Sequence, residues 1–255
     1  MISNFLEILI LSIVQGISEF LPVSSSAHLF LVSEIYKFKS QSLLVDVGLH
    51  LGSLLAIIFY FRNELKEIVN NKNLFFLMVL GSLPVIILGA IIYKTGLINY
   101  FRNIKVIAWT TLIFALLLYI ADKFENKKKI ETDLELKSIL IIGVFQILAL
   151  IPGVSRSGIV ITAGRFLNFS RYDSTKISFY LSIPAIAGAS FLSLKSLVDK
   201  NIDLNLIVLV SILLSFIFSY LTIKYFLIFV KKFTLNTFVI YRIILSLILF
   251  FIIYT

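Results

Sequence analysis

No cysteine occurs among the 255 residues, which excludes a disulfide framework, a thiolate metal site and a cysteine nucleophile. Charge is scarce as well: Asp, Glu, Lys and Arg make up 15% of the chain, against about a quarter in a soluble domain. With 59% hydrophobic residues and a mean hydropathy of +1.02, too little polar surface is left to face water, and most of the exterior must face lipid. The N-terminus, Met1-Ile2-Ser3-Asn4, carries no Lys or Arg and is followed by Glu7, so the basic start of a cleaved signal peptide is not expected. A net charge of +9 would suit nucleic acid. Here, though, the basic residues sit in short loops between apolar runs, the pattern of membrane topology, and no nucleic-acid partner is expected. These observations predict one polytopic membrane domain over residues 1–255, all-α in class.

A helix needs roughly 20 apolar residues to cross about 30 Å of hydrocarbon. The runs 43–61, 74–93, 204–223 and 235–254 meet that length, and 106–121 and 177–194 come close. The runs 5–14 and 138–151 are too short to span. Each ends at a proline within a Ser-rich polar stretch, and each is followed by a second short arm, 29–35 and 159–167. Such segments predict two re-entrant helix–loop–helix hairpins, permitted at membrane depth only where protein or a water-filled cavity satisfies the broken backbone. The two stretches match each other: Gln15, Val23, Ser24 and Ser26 align with Gln146, Val154, Ser155 and Ser157 at a constant offset, while Pro22 and Pro152 are one residue out of register. The expectation is therefore an inverted-topology repeat, the first copy over about 1–121 and the second over about 138–255, joined by the charged segment 122–137, with a binding site where the copies meet. Placing 62–73, 123–137, 165–176 and 224–232 on one side gathers 14 Lys and Arg, against 7 in 37–42, 94–105 and 195–200. That bias predicts a cytoplasmic location for the first group and hairpins that enter from opposite faces.

The polar residues concentrate in the hairpins. Gln15 and Glu19 are four apart and share a helix face. Pro22 then breaks the helix, and Ser24, Ser25, Ser26 and His28 follow. In the second hairpin Pro152-Gly153-Val154-Ser155-Arg156-Ser157-Gly158 puts a cation in a loop with two glycines. A charge at the bilayer centre costs about 2.5–3.5 kcal/mol on insertion scales, so Glu19 and Arg156 need partners or a task. The set suits a diphosphate. Arg156 can bind phosphate oxygens bidentately, and backbone N–H groups at a Gly/Ser turn opening a helix form an anion cradle. That cradle makes Ser24, Ser26, Gly153, Ser155, Ser157 and Gly158 candidate substrate-binding residues. Glu19 can hold a divalent cation, magnesium or calcium, that bridges to phosphate. His28 can act as general acid, general base or nucleophile, and a neighbouring serine can be the nucleophile instead; the sequence leaves both open. Blander roles exist for each: an interhelical Gln/Glu pair, a serine helix cap, an Arg156–Glu19 ion pair. Asp46 and His50 share a face early in the run 43–61 and are expected beside the site rather than in it, and Arg242 is assigned no function.

The stretch Gln15-Gly16-Ile17-Ser18-Glu19-Phe20-Leu21-Pro22-Val23-Ser24-Ser25-Ser26-Ala27-His28 closely resembles the first signature of the undecaprenyl-diphosphate phosphatase family linked to bacitracin resistance, and Pro152 to Gly158 resembles its second. The likeness extends over nearly the whole chain. It implies hydrolysis of undecaprenyl diphosphate to undecaprenyl phosphate and inorganic phosphate in the bacterial cytoplasmic membrane. That reaction recycles the lipid carrier for peptidoglycan and other envelope polymers. It also implies a metal pair at Gln15 and Glu19, phosphate chemistry at Ser25, Ser26 and His28, an essential Arg156 and a site opening to the outer face. A homodimer is an expectation apart from the resemblance, and the sequence leaves the oligomeric state open. Two positions depart from the family pattern. Gln15 stands where some members have Glu, and Ile159-Val160 stand where many have a small residue and Thr. A polyprenyl-phosphate transporter or flippase is the alternative, since broken helices in inverted repeats also serve alternating access. The phosphohistidine class of membrane lipid phosphatase is excluded: its histidine follows a Ser-Arg pair, and here His28 and His50 are the only histidines.

Overall fold

In hydrocarbon each backbone N–H and C=O must be bonded within the chain, and a helix does this locally. The computed structural model describes residues 2–36, 38, 42–125, 127–198 and 206–254, with residues 2–4, 33–36, 98–99 and 195–198 described by backbone alone. Among the described residues the chain is helical apart from turns and one isolated bridge between Lys128 and Phe169. Six helices are long and apolar enough to cross a membrane: α3 (Leu43–Tyr60), α5 (Lys72–Thr95), α7 (Ile104–Asp122), α11 (Arg171–Val198), α12 (Leu206–Lys232) and α13 (Asn236–Tyr254). The protein is thus a multi-pass membrane protein. Large apolar side chains such as Leu213, Ile240 and Phe251 stay exposed, as a lipid-facing surface requires.

The two short runs also form helices. α1 (Ile2–Ser18) is followed after a turn by α2 (Ser25–Tyr36), and α9 (Leu136–Ile147) with a 3-10 turn (Leu148–Leu150) is followed by α10 (Arg156–Phe166). At 1.5 Å per residue these arms measure about 16–26 Å, short of the roughly 30 Å apolar layer. Connecting helices are α4 (Arg62–Asn70), α6 (Ile98–Phe101) and α8 (Ile130–Asp133).

Three segments read as loops are helical. Residues 62–70 form α4; Lys224, Lys231 and Lys232 lie on the closing turns of α12; and α11 begins at Arg171, well before its apolar run. The cause at α11 is a reciprocal cap. The Asp173 N–H donates to Ser170 Oγ at 3.0 Å, and the Ser170 hydroxyl donates to Asp173 Oδ2 at 2.5 Å. Of the basic residues on the less charged side, Lys37, Lys39 and Lys200 lie outside the described residues, as does the side chain of Lys195. Arg165 is no loop cation. It is buried and donates to the carbonyls of Phe169 (2.5 Å), Glu125 and Asp122 (both 3.2 Å), and Phe124. Asp122 completes this staple by accepting from Arg171 Nε at 2.6 Å and Leu235 N at 3.0 Å, so the ends of α7, α10, α11 and α13 are tied at one level.

Helix packing in lipid depends on close backbone approach. On α3, Gly48, Gly52 and Ala56 recur every four residues, and on α12 Ser211, Ser215 and Ser219 do the same. A Cβ at Gly52 would press into the Ile212 carbonyl oxygen and approach Ser215 Cβ to 2.8 Å. Along this seam Ser215 donates to Leu49 O at 2.6 Å and Ser219 to Ser53 Oγ at 2.9 Å. Gly52→Ala is expected to cost about 1–3 kcal/mol by overpacking, read as a lower Tm in detergent. An unchanged Tm would show that the seam yields. The first arm of each helix–turn–helix segment packs on a helix distant in the chain. Gly16 of α1 lies against Phe218 and Ser219 of α12, and Gly143 of α9 lies against Gly81 of α5.

Candidate functional site

Both hairpin turns are strained at the same relative position. Ser24 (φ 76°) and Ser155 (φ 72°) are non-glycine residues at positive φ, and they are the pair that the sequence match aligns. Such backbone costs about 1–3 kcal/mol per residue and persists where surrounding contacts enforce it. Those contacts run across the turns. Ser157 Oγ donates to Leu21 O at 2.7 Å. Thr110 Oγ1 donates to Pro152 O at 2.7 Å. Arg242, fully buried, donates to Pro22 O (3.3 Å), Gly153 O (2.9 Å) and Val154 O (3.1 Å). Sequence reasoning gave Arg242 no function; it joins the two tips, and its only signal was a cation one-third of the way along an apolar run. Gly153 sits at φ 90°, with no room for a Cβ beside Thr110 and Ile107.

The tips open onto a cavity of about 560 Å³. Its polar wall carries Glu19, Ser24, Ser25, Ser26, Ser155 and Arg156, with His50 from α3. Its apolar wall is formed by α5 and α11 through Val85, Ile86, Ala185, Ile186 and the small residues Gly89 and Ala189. Tyr93, Gly96 and Arg102 extend the lining into the 94–105 region. α2 and α10 both begin at this cavity, at Ser25 and Arg156, and the amide end of a helix favours anions. Ser155 caps α10 by accepting from Gly158 N at 3.1 Å, which leaves the N–H groups before it unspent.

Glu19 is the hub. Its Oε1 accepts from Arg156 Nη2 at 2.7 Å, and its Oε2 accepts from Ser25 Oγ at 2.6 Å and Gln15 Nε2 at 3.0 Å. His50 Nδ1 lies 3.8 Å from Oε2 and 2.9 Å from Gln15 Nε2. Gln15 also reaches Ser53 Oγ at 3.5 Å, which ties the site to the α3–α12 seam. The aligned residue Gln146 is buried with neither amide atom bonded among the described residues, so only the first hairpin builds this hub.

The candidate residues therefore separate into two groups. Glu19, Ser24, Ser25, Ser26, Ser155 and Arg156 line the cavity together. Gly153, Ser157 and Gly158 lie behind it and hold the second turn. His28 is outside the lining: its Nδ1 is 2.6 Å from Ser24 O, its Nε2 is 2.5 Å from the Tyr241 hydroxyl, and its ring stacks on Tyr241. Both ring nitrogens are used in this arrangement, and His28 ties the Ser24 turn to Tyr241 of α13. His50 takes the position beside Glu19, while Asp46 does not line the cavity.

As arranged, the donor set does not fit a cation held by Gln15 and Glu19. Gln15 turns its amide nitrogen, a donor, toward Glu19, and the carboxylate already faces a guanidinium and a hydroxyl. Among the described residues no three His, Asp or Glu side chains gather in a way that could hold a metal ion.

A sequence model of the bacitracin resistance protein BacA family matches residues 8–248. The chain is similar to proteins named undecaprenyl-diphosphatase: one from Pelagibacter ubique is 62% identical over 255 residues, covering 100% of both chains. Another, from Elusimicrobium minutum, is 42% identical over 94% of this chain and 95% of its own, and one from Campylobacter curvus is 40% identical over 98% and 99%. With the match running unbroken through both tips, the hub and the spans that carry them, this chain belongs to the bacitracin resistance protein BacA family.

Proposed function

We propose that the chain hydrolyses undecaprenyl diphosphate to undecaprenyl phosphate and inorganic phosphate. In the cell this recycles the carrier for peptidoglycan and other envelope polymers and confers resistance to bacitracin. The observation that carries the reading is the Ser25 hydroxyl, 2.6 Å from a buried carboxylate, in a cavity with a guanidinium, two helix starts and an apolar wall. The polar end suits a diphosphate and the apolar wall a prenyl chain, and the names of the relatives support that substrate.

The chemistry follows from the hub. Arg156 turns from Glu19 to the phosphate oxygens, and the helix starts add N–H donors where charge develops. Ser25 Oγ then attacks the terminal phosphorus while its proton passes to Glu19. The bond to the bridging oxygen breaks, and undecaprenyl phosphate leaves with that oxygen. Glu19 passes the Ser25 proton to the departing undecaprenyl phosphate, and the regenerated carboxylate then deprotonates water. Attack by that water breaks the Ser25–phosphorus bond, and Glu19 returns the proton to Oγ as inorganic phosphate leaves.

Two hairpins entering from opposite faces, as copies of an inverted repeat, account for the strained pair Ser24 and Ser155 and for the packing of α1 on α12 and of α9 on α5. The charge bias sets 123–137 in the cytoplasm, so the cavity lining at Gly96 and Arg102 faces the outer side of the bacterial inner membrane. A second copy of the chain is proposed as a partner in assembly.

Phosphate release from undecaprenyl diphosphate by the detergent-purified protein is the test. Wild type is expected to release phosphate, and Ser25→Ala to lose about 10³-fold or more, as nucleophile removal does. Binding without release in the wild type would overturn the hydrolase and favour a transporter. Release unaffected by Ser25→Ala would leave water as the nucleophile. A parallel arm with chelator, then magnesium or calcium, decides the cation expectation; no step above runs through it.

A further inference from the structure

Beside Glu19, one cavity-lining imidazole takes no part in the mechanism just described. His50 is the second histidine of the chain, its side chain 37% exposed and on the cavity wall. Its chemical state follows from its neighbours. Gln15 Nε2 lies 3.0 Å from Glu19 Oε2, and a flipped amide would set two oxygens against each other, so the nitrogen must face the carboxylate. That nitrogen has only hydrogens to offer, and at 2.9 Å from His50 Nδ1 it donates, so Nδ1 accepts. A neutral imidazole that accepts at Nδ1 carries its proton on Nε2. Among the described residues Nε2 makes no hydrogen bond, leaving an N–H donor on a wall where the other donors are serines and Arg156.

We propose that His50 is a substrate-binding residue that donates its Nε2–H to an oxygen of the diphosphate, held in that tautomer by the relay from Glu19 through Gln15. This rests on the diphosphate reading of the cavity. The relay differs in kind from the contacts of His28. There the partner of Nδ1 is a carbonyl oxygen, which can only accept, so His28 carries its proton on Nδ1 and accepts from Tyr241 at Nε2. The chain's two histidines are thus set as opposite tautomers.

Both points are measurable. The full-length protein labelled with ¹⁵N-histidine should show one ring protonated on Nε2 and one on Nδ1, and the Nε2-protonated set should vanish in His50→Gln. Two Nδ1-protonated rings would overturn the relay. In the release assay His50→Leu should lower kcat/KM about 10–100-fold, the usual worth of a hydrogen bond to a charged group. His50→Gln, whose amide can accept from Gln15 and still donate, should return to within about fivefold of wild type on the same scale. If wild type works and His50→Leu matches it, or Gln proves as poor as Leu, the donor role is wrong. If wild type releases no phosphate, the diphosphate reading has failed instead.

Discussion

Arg156→Lys is expected to lower phosphate release by about 10²–10³-fold while leaving the fold intact, and Arg156→Ala to lower both activity and stability. The two substitutions separate two tasks of one side chain. Lysine keeps a cation beside Glu19, so the buried carboxylate stays compensated. What it loses is the planar fork that can hold two phosphate oxygens at once. Alanine removes the cation as well. Glu19 is 7% exposed, and an uncompensated buried carboxylate costs about 3–5 kcal/mol when its partner is deleted. The double variant Glu19→Gln with Arg156→Ala should therefore recover most of the Tm lost in the single variant, while release stays at background. Recovery of activity in the double variant would overturn both Glu19 as the base and Arg156 as a phosphate ligand. If Arg156→Ala leaves the Tm unchanged, the ion pair carries no net stability and catalysis is the whole reason for a cation at this depth.

How far the sequence could foretell this site depends on the distance over which each contact acts. The six spans were legible because their signal is local: four apolar runs reach about 20 residues and two come close. The two helix–turn–helix breaks were legible for the same reason, through short apolar runs with a proline between them. Gln15 with Glu19 followed from helical spacing. The partners of Arg242 lie 88, 89 and 220 residues away, and those of Arg165 40 to 43 away or one turn along, so nothing in the local pattern could tell either from a snorkelling cation. Serine and histidine were harder still. Ser25 and His28 sit three apart at the start of α2, and the local pattern left either open as the nucleophile. Packing divides them, because α13 comes close enough to offer Tyr241 to one while the cavity takes the other. The reverse holds for His50, 35 residues from Gln15, whose place beside Glu19 depends on the Gly/Ser seam that draws α3 and α12 together. Ser170 and Asp173 form a cap readable at a spacing of three, and the helix start they mark explains why α11 is longer than its apolar run.

Arg242→Met should reduce phosphate release by about 10²-fold or more, the loss expected when catalytic groups shift by an ångström, with a smaller effect on Tm. Two terms oppose each other in stability. The guanidinium is fully buried, and among the described residues it has no acidic partner, so its desolvation is offset by carbonyls alone. Removing it relieves that cost, and replacing a buried ion with an apolar side chain of similar volume is often neutral. Against this, Pro22, Gly153 and Val154 lose a donor, at about 1–3 kcal/mol for each carbonyl left unsatisfied. These terms nearly cancel for the fold as a whole but not for the tips, because the carbonyls belong to the two turns whose strained serines, Ser24 and Ser155, set the cavity wall. Arg242 also supplies charge. Counting Glu19, Arg156 and Arg242 as ionised, the buried cluster is left with one positive charge, which a phosphate can neutralise. Arg242→Lys tells tie from charge: it keeps the charge but cannot reach three carbonyls in a fixed fork. Inhibition by inorganic phosphate retained in Lys and weakened in Met, with release low in both, would assign the charge to anion affinity and the fork to geometry. Release near wild type in Lys would give the charge alone as sufficient.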